Sequence, residues 1–221
     1  MPRQPLTLVL NRGGLAGLVA TSAALAADES AGAPRVGLVF VDDGRDDTAE
    51  RREAVRRQAD FFGLTRLDEL ALPGLFGGPA ASGARPRLAA ARLLLEALAH
   101  AGGQKADALV WPVACDARPD DVARATETQL IAEQLADLEE PVPGGPGANP
   151  RLFAPLLGYS DVQVVELGRG YGAPFALARC CEQIAAGPAG GADAPPCRMC
   201  SPCRRRAASF RAAGVADRRP A

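Results

Sequence analysis

Lysine and histidine are almost absent from this 221-residue chain: Lys105 and His100 are the only examples of each. A phosphate loop of the GxxxxGK[ST] type needs a lysine beside serine or threonine, and Lys105 is followed by Ala106, so that loop is excluded. A single histidine excludes HExxH proteases and every metal site built on two imidazoles. Charge of one sign is lacking too. The 25 basic residues, nearly all arginine, face 26 acidic ones, for a formal net charge of −1. No basic excess invites nucleic acid, and no long acidic run suggests a solvating tail. No charge-free apolar stretch of about 18 residues exists, so a membrane span is not expected. What is present is 48% apolar and 23% charged residues in 22.8 kDa. That composition supports a buried core in one α/β domain, with room for a small appendage.

Leu15–Ala27 has the composition of a secretory core with an A-x-A-like end, but the preceding Asn11-Arg12-Gly13-Gly14 breaks it after an earlier apolar run. Strand, tight turn and helix explain that break better. Leu6–Leu10 is expected to be a buried strand, Leu15–Ala27 its helix, and Val36–Val41 a second strand after a break at Gly32–Pro34. This is a right-handed βαβ unit. Asp47 with Glu50 reads as a capping pair opening a helix to Phe62. A short strand at Thr65–Leu72 and a helix at Arg87–Ala101 follow. Ala108–Val113 is expected as a further buried strand and Pro119–Leu138 as a helix. Ser160 with Gln163 forms a capping box for a helix to Arg169, and a basic helix runs from Arg204 to Ala213. Residues 1–138 are thus a nucleotide-binding-like α/β domain, 139–151 a linker or loop, and 152–221 a C-terminal helical segment. His100 is read as a helix-end residue, and Trp111 and Cys115 as core. The fold class is α/β, a parallel doubly wound sheet with a C-terminal zinc-binding knuckle.

Five of six cysteines crowd the C-terminal end, at positions 180, 181, 197, 200 and 203. Cys197-x2-Cys200-x2-Cys203 with one cysteine fifteen residues earlier offers the four thiolates of a closed tetrahedral zinc site, whose role is structural. Such spacing in a chain of this size reads as metal or redox chemistry and points to the cytoplasm. The metal would tie down Gly187–Pro196, which is too poor in apolar residues to fold alone. Free thiols and an iron–sulfur cluster are the rival readings. Adjacency leaves Cys180 and Cys181 both open as the fourth ligand.

These residues carry a resemblance. Pro155-Leu156-Leu157, Gly172-Ala173-Pro174, Cys181, the Cys197–Arg204 run, Phe210 and Ala213-Gly214 stand in the order of the 7-cyano-7-deazaguanine synthase (QueC/ExsB) family, which belongs to the PP-loop ATP pyrophosphatases. The likeness extends more loosely to Asp42-Asp43-Gly44-Arg45 and Arg118-Pro119-Asp120. It implies an adenine nucleotide alpha hydrolase-like sheet, zinc on Cys181, Cys197, Cys200 and Cys203, ATP and magnesium as reactants, and a nucleotide or 7-deazapurine ligand. It also implies a homodimer; the net charge and the lack of an apolar span leave neither nucleic acid nor membrane as an expected partner. The implied reaction is adenylylation of a 7-deazaguanine carboxylate, its conversion to an amide by ammonia, and ATP-driven dehydration to the nitrile.

The sequence departs from that family at its nucleotide loop. Ser-Gly-Gly-Leu-Asp-Ser is here Arg12-Gly13-Gly14-Leu15-Ala16-Gly17, without either serine or the aspartate. Asp161 stands where the family carries lysine, a charge reversal expected to repel polyphosphate. Arg87-Leu88 replaces the usual Arg-Asn. Arg12, Gly13 and Gly14 are then either a vestigial phosphate cradle of main-chain amides or a bare turn. Three functions follow, in order: a zinc-bound homologue that has lost the ATP-dependent reaction and has no catalytic residues; an active, diverged ligase using Arg12, Asp42 or Asp43; and a zinc-ribbon nucleic-acid module, suggested by Arg204–Arg206.

Overall fold

The computed structural model describes residues 4–28, 35–75, 88–140, 148–181 and 197–217. The turn at Gly32–Pro34, Arg87, most of the 139–151 connection and Gly187–Pro196 lie outside the described residues. Five parallel strands form one sheet: β1 (Leu6–Asn11), β2 (Arg35–Asp42), β3 (Leu67–Ala71), β4 (Ala108–Val110) and β5 (Arg151–Phe153), in the order β3-β2-β1-β4-β5. The order reverses between β1 and β4. In open α/β sheets such a switch point leaves a crevice at the carboxyl ends of the strands.

The helices are α1 (Leu15–Asp28), α2 (Thr48–Phe61), α3 (Ala89–Gly103), α4 (Pro119–Ala136), α5 (Asp161–Gly170) and α6 (Ser201–Ala212), with a 3-10 turn at Phe175–Leu177. The period of two along each strand divides the core between two faces. Leu6, Leu8, Leu10, Val39, Val41 and Leu109 pack under α3 and α4. Val9, Val36, Leu38, Phe40 and Val110 pack under α1, α2 and α5. α6 reaches the body through α5, where Val165 and Phe210 are buried together. The segment with signal-like composition is therefore the first crossover helix, its Leu18 and Val19 fully buried. Among the described residues no helix is long and apolar enough to cross a membrane.

Several local expectations change. The third buried run is a strand only over Ala108–Val110, because Pro112 follows and has no N–H to give; the Trp111 N–H still reaches the Phe153 carbonyl at 2.7 Å. The Asp47–Glu50 box does not form. Asp47 sits at φ −91°, ψ 13° rather than extended, and its carboxylate turns to Arg51 Nε at 2.6 Å. The Ser160–Gln163 box forms in both directions. α6 begins earlier than Arg204, with Cys200 as N-cap and Pro202 in its first turn. β5 was not foreseen. Its outward-facing backbone is met by α4: Leu152 N–H donates to Glu133 Oε1 (3.2 Å), and Gln129 Nε2 donates to the Leu152 carbonyl (3.0 Å).

Candidate functional site

The turn after β1 is where a phosphate cradle would lie. Gly13 takes φ +75°, and a Cβ there would stand 2.8 Å from the Arg51 carbonyl oxygen. Only glycine fits both limits. Its N–H, however, already donates to Asn11 Oδ1 at 2.8 Å. Asn11 Nδ2 donates to Gln58 Oε1 (2.8 Å), and Gln58 Nε2 donates to the carbonyls of Gly13 (3.3 Å) and Leu177 (3.0 Å). Asn11 and Gln58 are wholly buried. The pair satisfies the turn from within, and Gly17 is the space Asn11 occupies: a Cβ there would meet Asn11 Oδ1 at 2.5 Å. The Gly13 carbonyl also accepts the Arg179 N–H at 2.8 Å, which ties the turn to the chain leading into the cysteines.

Arg12 donates to the buried Asp43 carboxylate. Burial draws the Arg12 guanidinium down to about 10 against the attraction of Asp43. It remains a cation at neutral pH. Asp42 is engaged by Arg52 at 2.9 Å. Of the groups considered for a rebuilt nucleotide site, Arg12 lines the crevice, whereas Asp42 and Asp43 stand behind it. Gly14, Leu15, Ala16 and Gly17 line it too, and the first amides of α1 have no intrahelical acceptor.

That crevice has a volume of about 600 Å³ and sits at the switch point between β1 and β4. Its described wall carries seven arginines, at 12, 51, 118, 124, 179, 205 and 206, and two acids, Asp121 and Asp161. Asp43, Asp47 and Asp217 pair with three of the arginines from behind. The described wall thus carries more arginine than acid, and Asp161 stands among those arginines. Trp111 and Cys115, read as core, are buried and also line the cleft. His100 ends α3 and lies 3.1 Å from Asp68 Oδ2, away from the cleft.

Arg204–Arg206 do not act as one basic face. Arg206 is buried. Its guanidinium donates to the carbonyls of Ala178 (2.5 Å) and Phe175 (2.7 Å), pairs with Asp217 at 2.8 Å and lies over the Phe210 ring at 4.9 Å. Arg205 faces the cleft.

Behind the same wall stand the cysteines. The Sγ atoms of Cys181, Cys197, Cys200 and Cys203 all lie within 4.8 Å of one another. A tetrahedral ion at the usual Zn–S length of about 2.3 Å needs sulfurs about 3.8 Å apart, so the donor set fits a metal by number, chemistry and spacing. Cys181 and Cys203 are buried, and Cys203 lies in the first turn of α6. The N–H of Cys200 donates to Cys197 Sγ at 3.3 Å. Together with the Met199 amide it pulls the Cys197 thiol down to about 6, whereas burial pushes the Cys203 thiol up. Cys181 is the fourth member of this set. Cys180 stands 3.6 Å from Cys203 Sγ and lines the cleft.

No family model matches the chain. Solved structures to which the chain is similar include the following two. The U34-tRNA thiolase NcsA of Methanococcus maripaludis, described with its [4Fe-4S] cluster, is 16% identical, over 78% of this chain and 59% of that one, with a TM-score of 0.49. The NAD+ synthetase of Burkholderia pseudomallei is 18% identical, over 79% and 62%, with a TM-score of 0.41. In sequence, the chain is similar to the 7-cyano-7-deazaguanine synthase of Pseudomonas fluorescens (strain SBW25), 35% identical over 85 residues that make up 38% of this chain. The match spans about a third (35%) of that enzyme.

Proposed function

We propose that this protein is a metal-stabilised relative of 7-cyano-7-deazaguanine synthase that has lost the ATP-dependent reaction and retains anion binding in the arginine-lined cleft. One observation carries the reading: the turn that would hold phosphate is satisfied by its own fold. Asn11 takes the Gly13 amide and Asp43 takes Arg12. Residues 12–17 supply no hydroxyl or carboxylate to place a magnesium ion. Removing one preorganised contact of this kind costs a factor of about 10²–10³ in rate, and here several are missing together.

The positive cleft and the free amides at the start of α1 support retained binding of a nucleotide or 7-deazapurine acid, weak and independent of magnesium. The metal is zinc held by Cys181, Cys197, Cys200 and Cys203. With four thiolates it has no open position, and its role is to fasten α6 to the body. Thiolate ligands of this kind suit a reducing cytoplasm.

The deciding experiment incubates the protein with ATP, Mg²⁺, ammonia and 7-carboxy-7-deazaguanine and follows AMP and nitrile. No product is expected. AMP release that depends on the deazaguanine acid would replace this reading with a diverged ligase. Elemental analysis should give about one zinc per chain. A brown, iron-containing protein would reassign the cysteines to a cluster.

A further inference from the structure

We propose that Cys180 is a modification site for small anionic disulfides, and that Cys203 resolves the adduct into a Cys180–Cys203 disulfide, taking a ligand from the metal as it does so. The last step rests on the metal reading above; the modification site itself does not.

Five cysteines share the C-terminal end, and four of them make up the converging set. Cys180 is the one outside it. It is half-buried and lines the arginine-bearing cleft, while its Sγ stands 3.6 Å from Cys203 Sγ. A single sulfur thus faces the cleft on one side and a member of the donor set on the other. Cys180 belongs to no helix or strand, whereas Cys203 is held in the first turn of α6. A disulfide of about 2.05 Å is reached by moving the less constrained sulfur about 1.5 Å. Cys115 also lines the cleft, but it is buried, and burial pushes its thiol up, which leaves less thiolate to react.

The wall selects the reagent. Seven arginines against two acids draw anions toward Cys180, and Arg179 and Arg205 stand on the same wall. A disulfide with carboxylates on its arms gains that attraction, and a neutral one does not. In the first step Cys180 Sγ attacks one sulfur of R–S–S–R. A Cys180–S–R bond forms, the S–S bond breaks, R–S⁻ leaves with the electron pair, and the Cys180 proton passes to solvent. Cys203 Sγ then attacks Cys180 Sγ, and the second R–S⁻ leaves. Two cysteine sulfurs have been oxidised by two electrons and one disulfide reduced to two thiolates. The metal keeps Cys181, Cys197 and Cys200, three ligands where a closed site has four. Because Cys203 opens α6, and α6 carries Arg205 and Arg206 into the cleft, a reaction at the wall reaches the helix that helps to build it.

The full chain, with the metal it is purified with, is mixed with one equivalent of dithiobis(nitrobenzoate), a dianion whose released thiolate is coloured, in the presence of a zinc-sensitive dye. Two coloured thiolates per reagent are expected, with metal release at the rate of the second and a chain two hydrogens lighter by intact mass. Cys180→Ser should keep its metal and slow the reaction by about tenfold or more, since the remaining thiols are metal-bound or buried. Raising salt from about 0.02 to about 0.5 M should slow the wild-type reaction about tenfold, and should leave its rate with neutral dithiodipyridine nearly unchanged. Metal loss at the same rate in wild type and Cys180→Ser would overturn the proposal, as would a stable adduct at Cys180 with the metal retained. An equal response of both reagents to salt would overturn the preference for anions. A metal-free preparation that still forms the Cys180–Cys203 disulfide would overturn the metal reading and leave the modification site standing.

Discussion

The glycine turn and the cysteine cluster are tied together by one short stretch, where the Arg179 N–H donates to the Gly13 carbonyl two residues before Cys181, and the two differ in how their polar groups are satisfied. In the turn the fold satisfies itself: Gly13 holds its left-handed angle, and Asn11, Gln58 and Asp43 engage the turn and the arginine beside it. In the cysteine cluster four sulfurs lie within 4.8 Å of one another, a donor set that could hold a metal. A turn can survive without ligand because side chains replace what a phosphate would have supplied. A four-thiolate site has no such substitute, since converging thiolates repel without a cation between them. The two regions therefore respond differently to damage.

The largest effect is expected in the knuckle. Cys197→Ser should lose the metal and release α6, read by metal analysis and by faster amide exchange at Phe210, whereas Cys180→Ser should keep both. Binding by four thiolates is worth on the order of 10 kcal/mol in small zinc domains. If Cys197→Ser keeps its metal, the two regions no longer differ as described. Because Arg179, Cys180 and Arg205 line the cleft from this segment, chelation should also weaken phosphate binding. Next comes Gln58→Ala. It orphans the Asn11 amide and takes a donor from the carbonyls of Leu177 and Gly13, the latter keeping the Arg179 N–H, and about 2 kcal/mol of stability should be lost in a urea titration. Gly13→Ala should cost about 2 kcal/mol, through its positive φ and the 2.8 Å approach to Arg51. A loss as small as that of an ordinary exposed glycine would mean the turn is not held from within.

The smallest effect is expected at Asp161, on the cleft wall. The Asp161 carboxyl is raised in the folded state, so the folded chain holds its proton more tightly than the unfolded chain. Stability from this group therefore falls as pH rises through the ordinary carboxylate range and above it. Asp161→Asn should be slightly more stable than wild type at neutral pH, by less than about 0.5 kcal/mol, with the difference vanishing in acid. Thermal melts across pH 3–7 would show it.

Much of this architecture was legible in the sequence. Buried runs at Leu6–Leu10 and Val36–Val41 gave β1 and β2, and Ser160 with Gln163 marked the start of α5, because burial and capping are local. β5 was not legible. Arg151–Phe153 has no periodicity, and its place depends on β4 and on Gln129 and Glu133 far away in the chain. The cleft was hidden for the same reason. Its arginines come from six separate stretches between positions 12 and 206, and a net charge of −1 gives no hint that the fold collects them. Asp47 shows the converse: a correct capping residue diverted by Arg51, one helical turn along.

The side-chain caps on β5 bear on how this protein meets other copies of itself. An open sheet invites a stranger's strand at its margin, because unpaired amides and carbonyls there offer a ready template. At Leu152 both groups are already spoken for by α4. A chain arriving at that margin would have to displace a glutamate and a glutamine before it gained a single ladder bond. Gln129 and Glu133 thus act as a guard against edge-to-edge aggregation, and the guard is in place only once α4 has docked.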